Sequence, residues 1–272
     1  MILTLSLLNN FKTRQVDFIQ AYTQAPLDCP IYMEVPAGYS IQNGELTFTG
    51  EGNKNVDLTW VLELQQNMYG LKQAGCNWYQ RLHQELLQLG FRQSKVDKCL
   101  FYTTNCIIVI YVDDCPLFSP NDSTLNGIIK HLESIFCITT ESDIGAYLGL
   151  NIQHNAKGHL EITQPGLINK VVHLCGLEYE SNEHKMLVDV ILQPPSKQDE
   201  PRQLTWNYRQ IIGILNYIAA SSRPNISFAV HQCAHFSSAP TRKHELAVKQ
   251  IARYLKGTRT KEYTLSPTKK QT

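Results

Sequence analysis

The sequence predicts an α+β fold with an appended helical part. Three observations support this class: short apolar runs typical of strands, hairpin signals near the centre of the chain, and amphipathic helices in its final third. Strands bracketed by helices, with the hairpins between them, indicate a sheet packed against helices.

The first 90 residues predict a strand and three helices. The apolar opening MILTLSLLNN is too short to span a bilayer and is interpreted as the end of a core helix. Residues 13–22 predict a strand that turns into a short helix, and the polar stretch 40–55 predicts a surface hairpin or loop. Residues 77–90 predict a helix, because its apolar residues recur on one face and Gly90 ends it.

The middle of the chain predicts a strand, a helix and a hairpin in succession. The apolar run 106–112 predicts the strand, and the 3.6-residue periodicity of 121–136 predicts a helix capped by Asp122 or Ser123. Residues 146–164 are typical of two short strands around NAKG.

The final third predicts helices. Pro165 opens one that ends at Gly176, and a polar, proline-rich linker follows at about 178–204. The later helical segments are 208–222, 225–238 and 242–258.

Composition and charge restrict the class of protein only weakly. A chain of 272 residues suggests about two domains, and a hydrophobic content of 43% is enough for a real core. The net charge of +1 gives no electrostatic footprint for nucleic acids or acidic membranes. The segment 241–272 is the exception, since it holds nine basic residues against two acidic ones.

The eight cysteines are scattered and include no C-x-x-C pair, which indicates reduced thiols in an intracellular protein. His231, Cys233 and His235 form the tightest metal-like cluster. We do not expect a zinc site there, because Cys233 would project away from the two histidines and no fourth ligand is apparent.

Two adjacent carboxylates, Asp113 and Asp114, end the apolar strand in IIVIYVDDCPLF. Carboxylates about 4 Å apart repel by roughly 1 kcal/mol in water and by about 4 kcal/mol at the effective dielectric of a protein surface. A bound cation, a shared proton, a nearby Arg or Lys, or full exposure at a turn would each offset that cost. Exposure at a turn is the simplest alternative, since Asp favours turns and Pro116 forbids an uninterrupted central strand.

A third carboxylate points to a metal site. Successive strand side chains face opposite ways, so Asp113 and Asp114 alone would bind a metal weakly. Asp17 also lies at the end of a β-like apolar stretch, and two such strands side by side would place Asp17 against Asp113. Magnesium fits these carboxylates, because it keeps waters and completes its octahedron with substrate phosphates.

Three motifs in order carry a family resemblance: VDFIQAY at 16–22, MYGLKQAGCNWY at 68–79 and YVDD at 111–114. Together with IYMEVPAGY, SDIGAYLGLNI and YLKGT, they resemble the palm motifs of reverse transcriptases of copia-type retrotransposons over nearly the whole chain. One departure is Gly-Cys-Asn before Trp78 and Tyr79, where the family usually has Pro-Arg-Ala.

The resemblance implies a right-hand polymerase fold. Its palm is an antiparallel sheet with helices on one face, and with partial fingers it would occupy residues 1–165. A helical thumb or connection-like region would occupy residues 166–272.

The resemblance also implies the roles of the site residues. Asp17 and Asp113 would bind two Mg2+ ions, or Mn2+, with Asp114 as the third acid. Tyr22 would exclude a 2′-hydroxyl below the incoming sugar, and its alternative is a packed aromatic at a helix start. The other substrate-binding residues implied are Gly70, Lys72, Gln73 and Tyr111.

Further implied contacts reach the primer and template. The hairpin tip at Leu148 and Gly149 matches the primer grip, with an ordinary β-hairpin as its alternative. Lys249, Arg253 and Lys256 form one stripe of the last helix, which suits either phosphate tracking or a solvated face.

The function implied is RNA-directed DNA polymerisation, by nucleotidyl transfer from dNTPs to a primer 3′-end on an RNA or DNA template. The family places a Lys- and Arg-rich fingers segment before the strand of Asp17 and a ribonuclease H domain after the YLKGT helix. Both would be partners of this chain. Because the basic fingers segment would supply cations at the triphosphate, we expect the chain alone to polymerise poorly or not at all. The setting implied is intracellular, in a cytoplasmic virus-like particle or the nucleus, without a membrane.

Two alternatives remain open. One is a catalytically silent transposon remnant that at most binds nucleic acid. The other is a metal-dependent phosphodiesterase, which explains neither Tyr22 nor the GLKQAG block.

Overall fold

The computed structural model describes most of the chain. The described residues are 1–42, 44–48, 60–180, 192–196, 198–203 and 206–266. The predicted loop at 40–55 and the predicted linker at about 178–204 therefore lie partly outside the described residues.

The described residues contain seven α-helices and two short 3-10 helices. The α-helices are α1 (Ile2–Asn9), α2 (Ala74–Gln88), α3 (Asp122–Glu133), α4 (Pro165–Leu174), α5 (Tyr208–Ser221), α6 (Ser227–Ala234) and α7 (Arg242–Gly257). The 3-10 helices are Ala21–Gln24 and Pro224–Ile226. Within the same residues, no helix combines the length and the apolar character that crossing a membrane would need.

The strands are short and pair in an antiparallel manner. In chain order they are β1 (Lys12–Phe18), β2 (Tyr32–Glu34), β3 (Tyr39–Gln42), β4 (Glu45–Phe48), β5 (Val61–Glu63), β6 (Arg92–Gln93), β7 (Leu100–Tyr102), β8 (Ile107–Val109), β9 (Asp114–Ser119), β10 (Ile138–Glu141), β11 (Ala146–Tyr147), β12 (Leu150–His154), β13 (Leu160–Thr163) and β14 (Tyr263–Leu265). The mixed class with antiparallel sheets that the sequence predicted is confirmed.

The chain forms two compact units, and the first comprises residues 11–143. Its main sheet has the strand order β10-β1-β9-β8-β7-β6, so β1 lies between β9 and β10. At the end of β1, Val16 and Phe18 are buried and Asp17 between them is exposed. The buried faces of α2 and α3 complete this core, through residues such as Leu82 and Leu125.

The second unit comprises residues 1–10 and 144–272. It contains α1, a sheet with the order β11-β12-β13-β14, and α4 to α7. The predicted hairpin at 146–164 is confirmed by the pairing of β12 with β13. The opening helix is also confirmed, although only Ser6 of α1 is buried, so α1 is not the core helix that the sequence predicted. The core of this unit consists of residues from α4 to α7, such as Leu215 and Val248.

The division into units differs from the predicted boundary between residues 165 and 166. Residues 144–165 lie in the same compact unit as the C-terminal helices. The assignment of palm, fingers and thumb to parts of the chain stays a prediction.

Two local predictions meet different outcomes. The prediction that Asp122 or Ser123 caps α3 is wrong, because Asn121 is the N-cap residue. Asp122 instead forms an ion pair with Arg14 at 2.7 Å. All eight cysteines are free, as expected of reduced thiols.

Candidate active site

Two of the three predicted acids lie directly opposite one another. Asp17 on β1 is the antiparallel partner of Asp114, the first residue of β9. Residues opposite each other in such a ladder project to the same face of the sheet. The prediction that Asp17 would lie against Asp113 is therefore wrong by one residue, since strand pairing on β9 begins at Asp114.

Asp113 lies in a tight turn beside this pair. Tyr111 and Asp114 exchange backbone hydrogen bonds of 2.9 and 3.0 Å, which leaves Val112 and Asp113 as a two-residue hairpin loop. Only Val112 of these two has a positive φ, 57°, which is the pattern of a type II′ turn. Phe18 donates its N–H to the Asp113 carbonyl at 3.1 Å, so the loop is tied to β1.

Val112 is an unusual residue for this position, which glycine normally occupies. A β-branched residue in the left-handed region costs about 1–3 kcal/mol. The surrounding structure must therefore hold the turn. The indole N–H of Trp78 donates to the Val112 carbonyl at 2.8 Å, a contact that the sequence did not reveal.

Pro116 does not prevent β9 from pairing, contrary to expectation. It lies opposite Gln15 of β1, whereas the pairing with β8 ends at Leu117. The position therefore needs no ladder bond on the β8 side.

The electrostatics of the site are those of an acidic cluster. Burial raises the pKa of Asp114 above its ordinary value, and the negative charges of Asp17, Asp113 and Glu141 raise it further. The amide of Gln15, which donates to the Asp114 carboxylate at 3.2 Å, opposes this rise. Gln15 was not predicted, although its position two residues before Asp17 on one strand is a signal for a shared face.

The carboxylates fit a hard divalent cation. Mg2+ binds through one or two protein carboxylates and otherwise keeps water or phosphate oxygens. Asp17 and Asp114 share a face, and Asp113 lies half-buried in the turn beside them. Among the described residues, no group of three or more His, Cys, Asp or Glu side chains is already gathered into a metal site.

A mainly apolar cavity of about 360 Å³ adjoins the turn. Tyr22, in the 3-10 helix, and Tyr111 both contribute to its wall. The full lining is Tyr22, Gly75, Trp78, Tyr79, Cys99, Ile110, Tyr111 and Val112.

Tyr22 is confined by its neighbours. Its ring centroid lies 4.4 Å from that of Tyr69. A Cβ on Gly75 would lie 3.6 Å from the Tyr22 hydroxyl, so any side chain there would touch the ring. Burial raises the pKa of Tyr69, and the negative charges of Asp113 and Asp17 raise it further. Tyr69, which the sequence did not predict as a site residue, therefore lies within the electrostatic influence of the acids.

The GLKQAG block forms the approach to α2. Gly70 has a φ of 106°, which explains the need for glycine there. Lys72 is exposed, and Gln73 is the N-cap residue of α2, although its side chain makes no cap bond. The amide of Gln73 donates to the Cys29 sulfur at 3.9 Å and not to one of the acids.

Asn77, one of the residues that depart from the family pattern, ties two loops to α2. Its amide donates to Asp28 at 3.2 Å and to Asn67 at 3.3 Å. The bond from Asn77 is the main cause of the lowered pKa of Asp28.

Leu148 and Gly149 form a second strained turn, in the second unit. Both have positive φ values, 51° and 76°, between β11 and β12. The hydroxyl of Tyr217 on α5 donates to the Leu148 carbonyl. This hydrogen bond from Tyr217 fixes the backbone of the turn at its tip.

The basic stripe of α7 is used within the chain. Arg253 forms an ion pair with Glu180 at 2.8 Å, and Lys249 lies 4.0 Å from the same carboxylate. The ammonium group of Lys256 donates to the carbonyls of Leu177, Glu178 and Glu180. A phosphate bound by Lys256 would have to replace one of these carbonyls, and one bound by Arg253 or Lys249 would compete with Glu180.

Comparisons with known proteins identify similar chains. A family model described as reverse transcriptase (RNA-dependent DNA polymerase) matches residues 1–186. The Retrovirus-related Pol polyprotein from transposon RE1 of Arabidopsis thaliana is 30% identical over 253 residues, which are 90% of this chain and 16% of that protein. The transposon Ty5-1 protein of Saccharomyces cerevisiae is 26% identical over 256 residues, which are 90% of this chain and 76% of that one.

The chain therefore spans about a sixth of the RE1 polyprotein. A solved structure of telomerase from Candida albicans, with a TWJ fragment of telomeric RNA, superposes with a TM-score of 0.37 and 11% identity. It covers 94% of this chain and 46% of that one, and the superposition is too loose to support a conclusion about the fold.

Proposed function

Because the chain belongs to the reverse transcriptase family of copia-type retrotransposons, we propose that it carries the polymerase core of a Pol polyprotein. The reaction is RNA-directed DNA synthesis, in which a nucleotide passes from a dNTP to a primer 3′-end. The observation that supports this best is the antiparallel pairing of Asp17 with Asp114 beside the turn that bears Asp113.

Asp17, Asp113 and Asp114 are the residues that would hold Mg2+ or Mn2+. Bound divalent ions supply charge neutralisation at the transferring phosphate and activation of the 3′-hydroxyl. The pKa of Asp114 is raised first by burial and then by the neighbouring negative charges, and this supports the role because a bound cation would offset both effects. Gln15 orients the Asp114 carboxylate through its amide.

The nucleotide would approach from the side of Tyr22 and Tyr111. Both aromatic rings border the cavity next to the turn, which suits the apolar faces of a sugar and base. Gly70, Lys72 and Gln73 precede α2 on the same unit and are proposed contacts for the rest of the nucleotide.

The primer and template would contact other elements. The held turn at Leu148 and Gly149 is the proposed primer grip, and Lys249, Arg253 and Lys256 are proposed phosphate contacts. We assign palm and partial fingers to the sheet-rich part and a thumb-like role to the C-terminal helices. The proposed setting is the virus-like particle of the element, inside the cell.

The direct test is primer extension on poly(rA)/oligo(dT) with Mg2+. The assay compares this chain, and a longer polyprotein that contains it, with the Asp113→Asn variant of each. Extension that depends on Mg2+ and falls by roughly 10²–10³ in the variant supports the proposal. Unchanged extension in Asp113→Asn would overturn it, and binding of the primer–template without extension would favour a silent remnant.

The same variant has an expected effect on stability. Because folding raises the pKa of Asp114, ionisation of this carboxyl destabilises the folded state. This cost in the free energy of unfolding grows as pH rises through the pKa of Asp114 and is fully present at neutral pH. Removal of the Asp113 charge lessens this cost. In EDTA, Asp113→Asn should therefore raise the Tm, by roughly 2–4 °C for each kcal/mol of repulsion relieved.

Added Mg2+ should then raise the Tm of the native chain more than that of the variant. Glu133→Gln, which removes an exposed charge from α3, is the matched control and should show neither effect. A lower Tm of Asp113→Asn in EDTA would contradict the acidic-cluster interpretation.

A further inference from the structure

The direction of Asp113 depends on one peptide unit. Type I′ and type II′ turns differ by a flip of the central peptide, which here joins Val112 to Asp113. That flip changes the φ of the second loop residue, and so it redirects the Asp113 side chain. Valine disfavours the positive φ of 57° that either turn type requires at position 112, so the turn depends on contacts outside the loop.

The carbonyl of that same peptide has a donor. Trp78 directs its indole Nε1–H to the Val112 oxygen at 2.8 Å. A flipped peptide would move this oxygen away from the indole and break the bond.

Trp78 is itself rigidly placed. It lies on α2 and is only 2% exposed. Its ring makes edge contacts with Phe18, at 4.9 Å between centroids, and with Phe136, at 5.4 Å. Phe18 also donates to the Asp113 carbonyl, so ring and turn are linked to one strand.

We propose that Trp78 is a positioning residue, whose indole N–H locks the Val112–Asp113 peptide and thereby aims the Asp113 carboxylate into the acidic site. The proposal rests on the proposed function for the role of Asp113, but not for the geometry of the turn. It assigns to Trp78 a task that its burial in the core alone does not require.

The test removes the donor and keeps the ring. Trp78→Phe lacks the N–H, and Trp78→3-benzothienylalanine keeps the shape of indole with sulfur in place of the N–H. Trp206→Phe removes an indole from the other unit and is the matched control. The readouts are hydrogen exchange of the Tyr111 and Asp114 amides by NMR, and Mn2+ affinity from water-proton relaxation.

We expect both Trp78 variants to exchange these two amides about fivefold faster, as the loss of one hydrogen bond implies, and to bind Mn2+ about fivefold more weakly. Trp206→Phe should change neither. If the benzothienylalanine variant matches the native chain in both readouts, Trp78 is a packing residue only and the proposal is overturned. Should Trp78→Phe fail to fold, the isosteric variant decides alone.

The two proposals fail in different ways. A native chain that does not bind Mn2+, while the turn amides still exchange faster in the variants, would support the positioning role and overturn the metal site. Binding of Mn2+ that is lost in Asp113→Asn but untouched in both Trp78 variants would support the metal site and overturn the positioning role.

Discussion

At the scale of single residues, Tyr22 forms part of the cavity wall and is confined by its neighbours. Tyr69 packs on one side of its ring, and Gly75 leaves room on another. A ring held in this way can act as a steric wall, because it cannot turn aside without displacing Tyr69. The gate hypothesis and the alternative of a packed aromatic both accommodate these contacts, and a substitution of Tyr22 separates them.

The first prediction concerns that wall. Tyr22→Val, in an active polymerase that contains this chain, should raise ribonucleotide incorporation relative to deoxynucleotide incorporation by about tenfold or more, because a sterically excluded hydroxyl gains space. Single-nucleotide extension with dNTP and rNTP measures this ratio. Tyr69→Phe, which keeps the ring contact, is the control, and an equal loss of both activities in Tyr22→Val would make Tyr22 a packing residue.

The sequence revealed the acids but not their register or their supports. Asp113 and Asp114 stand out because carboxylates rarely end an apolar strand. The register of Asp17 depends on where the hairpin turn closes, and one residue of difference changes its partner. Tyr69 and Trp78 act through contacts between segments far apart in sequence, which no local pattern records, whereas the spacing of Gln15 two residues before Asp17 was a usable signal for a shared face.

At the scale of elements, the start of α7 is a buried polar junction. Thr241 and His244 form a capping box, in which the His244 Nδ1 accepts the Thr241 N–H at 2.9 Å. The other ring nitrogen then carries the proton and donates to the Gln193 carbonyl at 3.1 Å. His244 is fully buried and stacks on Phe236 at 4.2 Å.

The second prediction follows from this junction. Burial lowers the pKa of His244, and protonation of Nδ1 would remove its acceptor. Because the folded pKa is lowered, the stability contribution is present above the ordinary value of about 6.5 and is lost as pH falls through and below it. The free energy of unfolding should therefore drop between about pH 7 and pH 5.

The measurement is urea unfolding across this pH range. His244→Gln can accept from Thr241 and donate to Gln193 without titrating, so it should flatten the pH dependence. His235→Gln, on an exposed histidine, is the control and should leave it unchanged. An equally steep pH dependence in His244→Gln would contradict the prediction.

The third prediction concerns the basic stripe of α7. Glu180→Gln removes the carboxylate that pairs with Arg253 and lies near Lys249. If these cations contact phosphates, affinity for a primer–template at low salt should rise about two- to fivefold, since an intramolecular competitor is lost. Fluorescence anisotropy against salt concentration measures the change.

Glu178→Gln makes the same charge change two residues earlier in the chain, but the carboxylate of Glu178 pairs with His173 and not with α7. It is therefore the matched control. An unchanged affinity in Glu180→Gln, together with a lower Tm, would mean that the stripe serves the fold alone.

Helices were the elements that the sequence predicted best. The apolar spacing of α2, α3, α4 and α5 is long and regular, so their existence did not depend on distant contacts. The helix α2 begins three residues before the predicted start at residue 77, with the buried Ala74 as its first residue. The cap of α3 was missed because Asp122 was drawn into an ion pair with Arg14.

At the scale of the whole molecule, two hydrophobic cores divide the described residues. One core belongs to residues 11–143 and the other to the unit that ends the chain. The sequence prediction placed the boundary between residues 165 and 166. It could not show that β14, which follows α7, pairs with β13 and so joins the hairpin to the C-terminal unit.

The last prediction tests to which core that hairpin belongs. A Leu→Ala change in a core costs about 2–5 kcal/mol, and amide exchange reports where the stability is lost. Leu215→Ala, in the C-terminal unit, should speed exchange in β12 and β13, whereas Leu82→Ala should speed exchange in β1 and β9 and leave β12 and β13 unchanged. The two variants control for each other, because each removes the same atoms from a buried leucine. If β12 and β13 respond to Leu82→Ala instead, they belong with the first unit and the boundary near residue 165 is the correct one. The contacts favour the opposite result, since β13 is hydrogen-bonded on both edges to strands of the C-terminal unit.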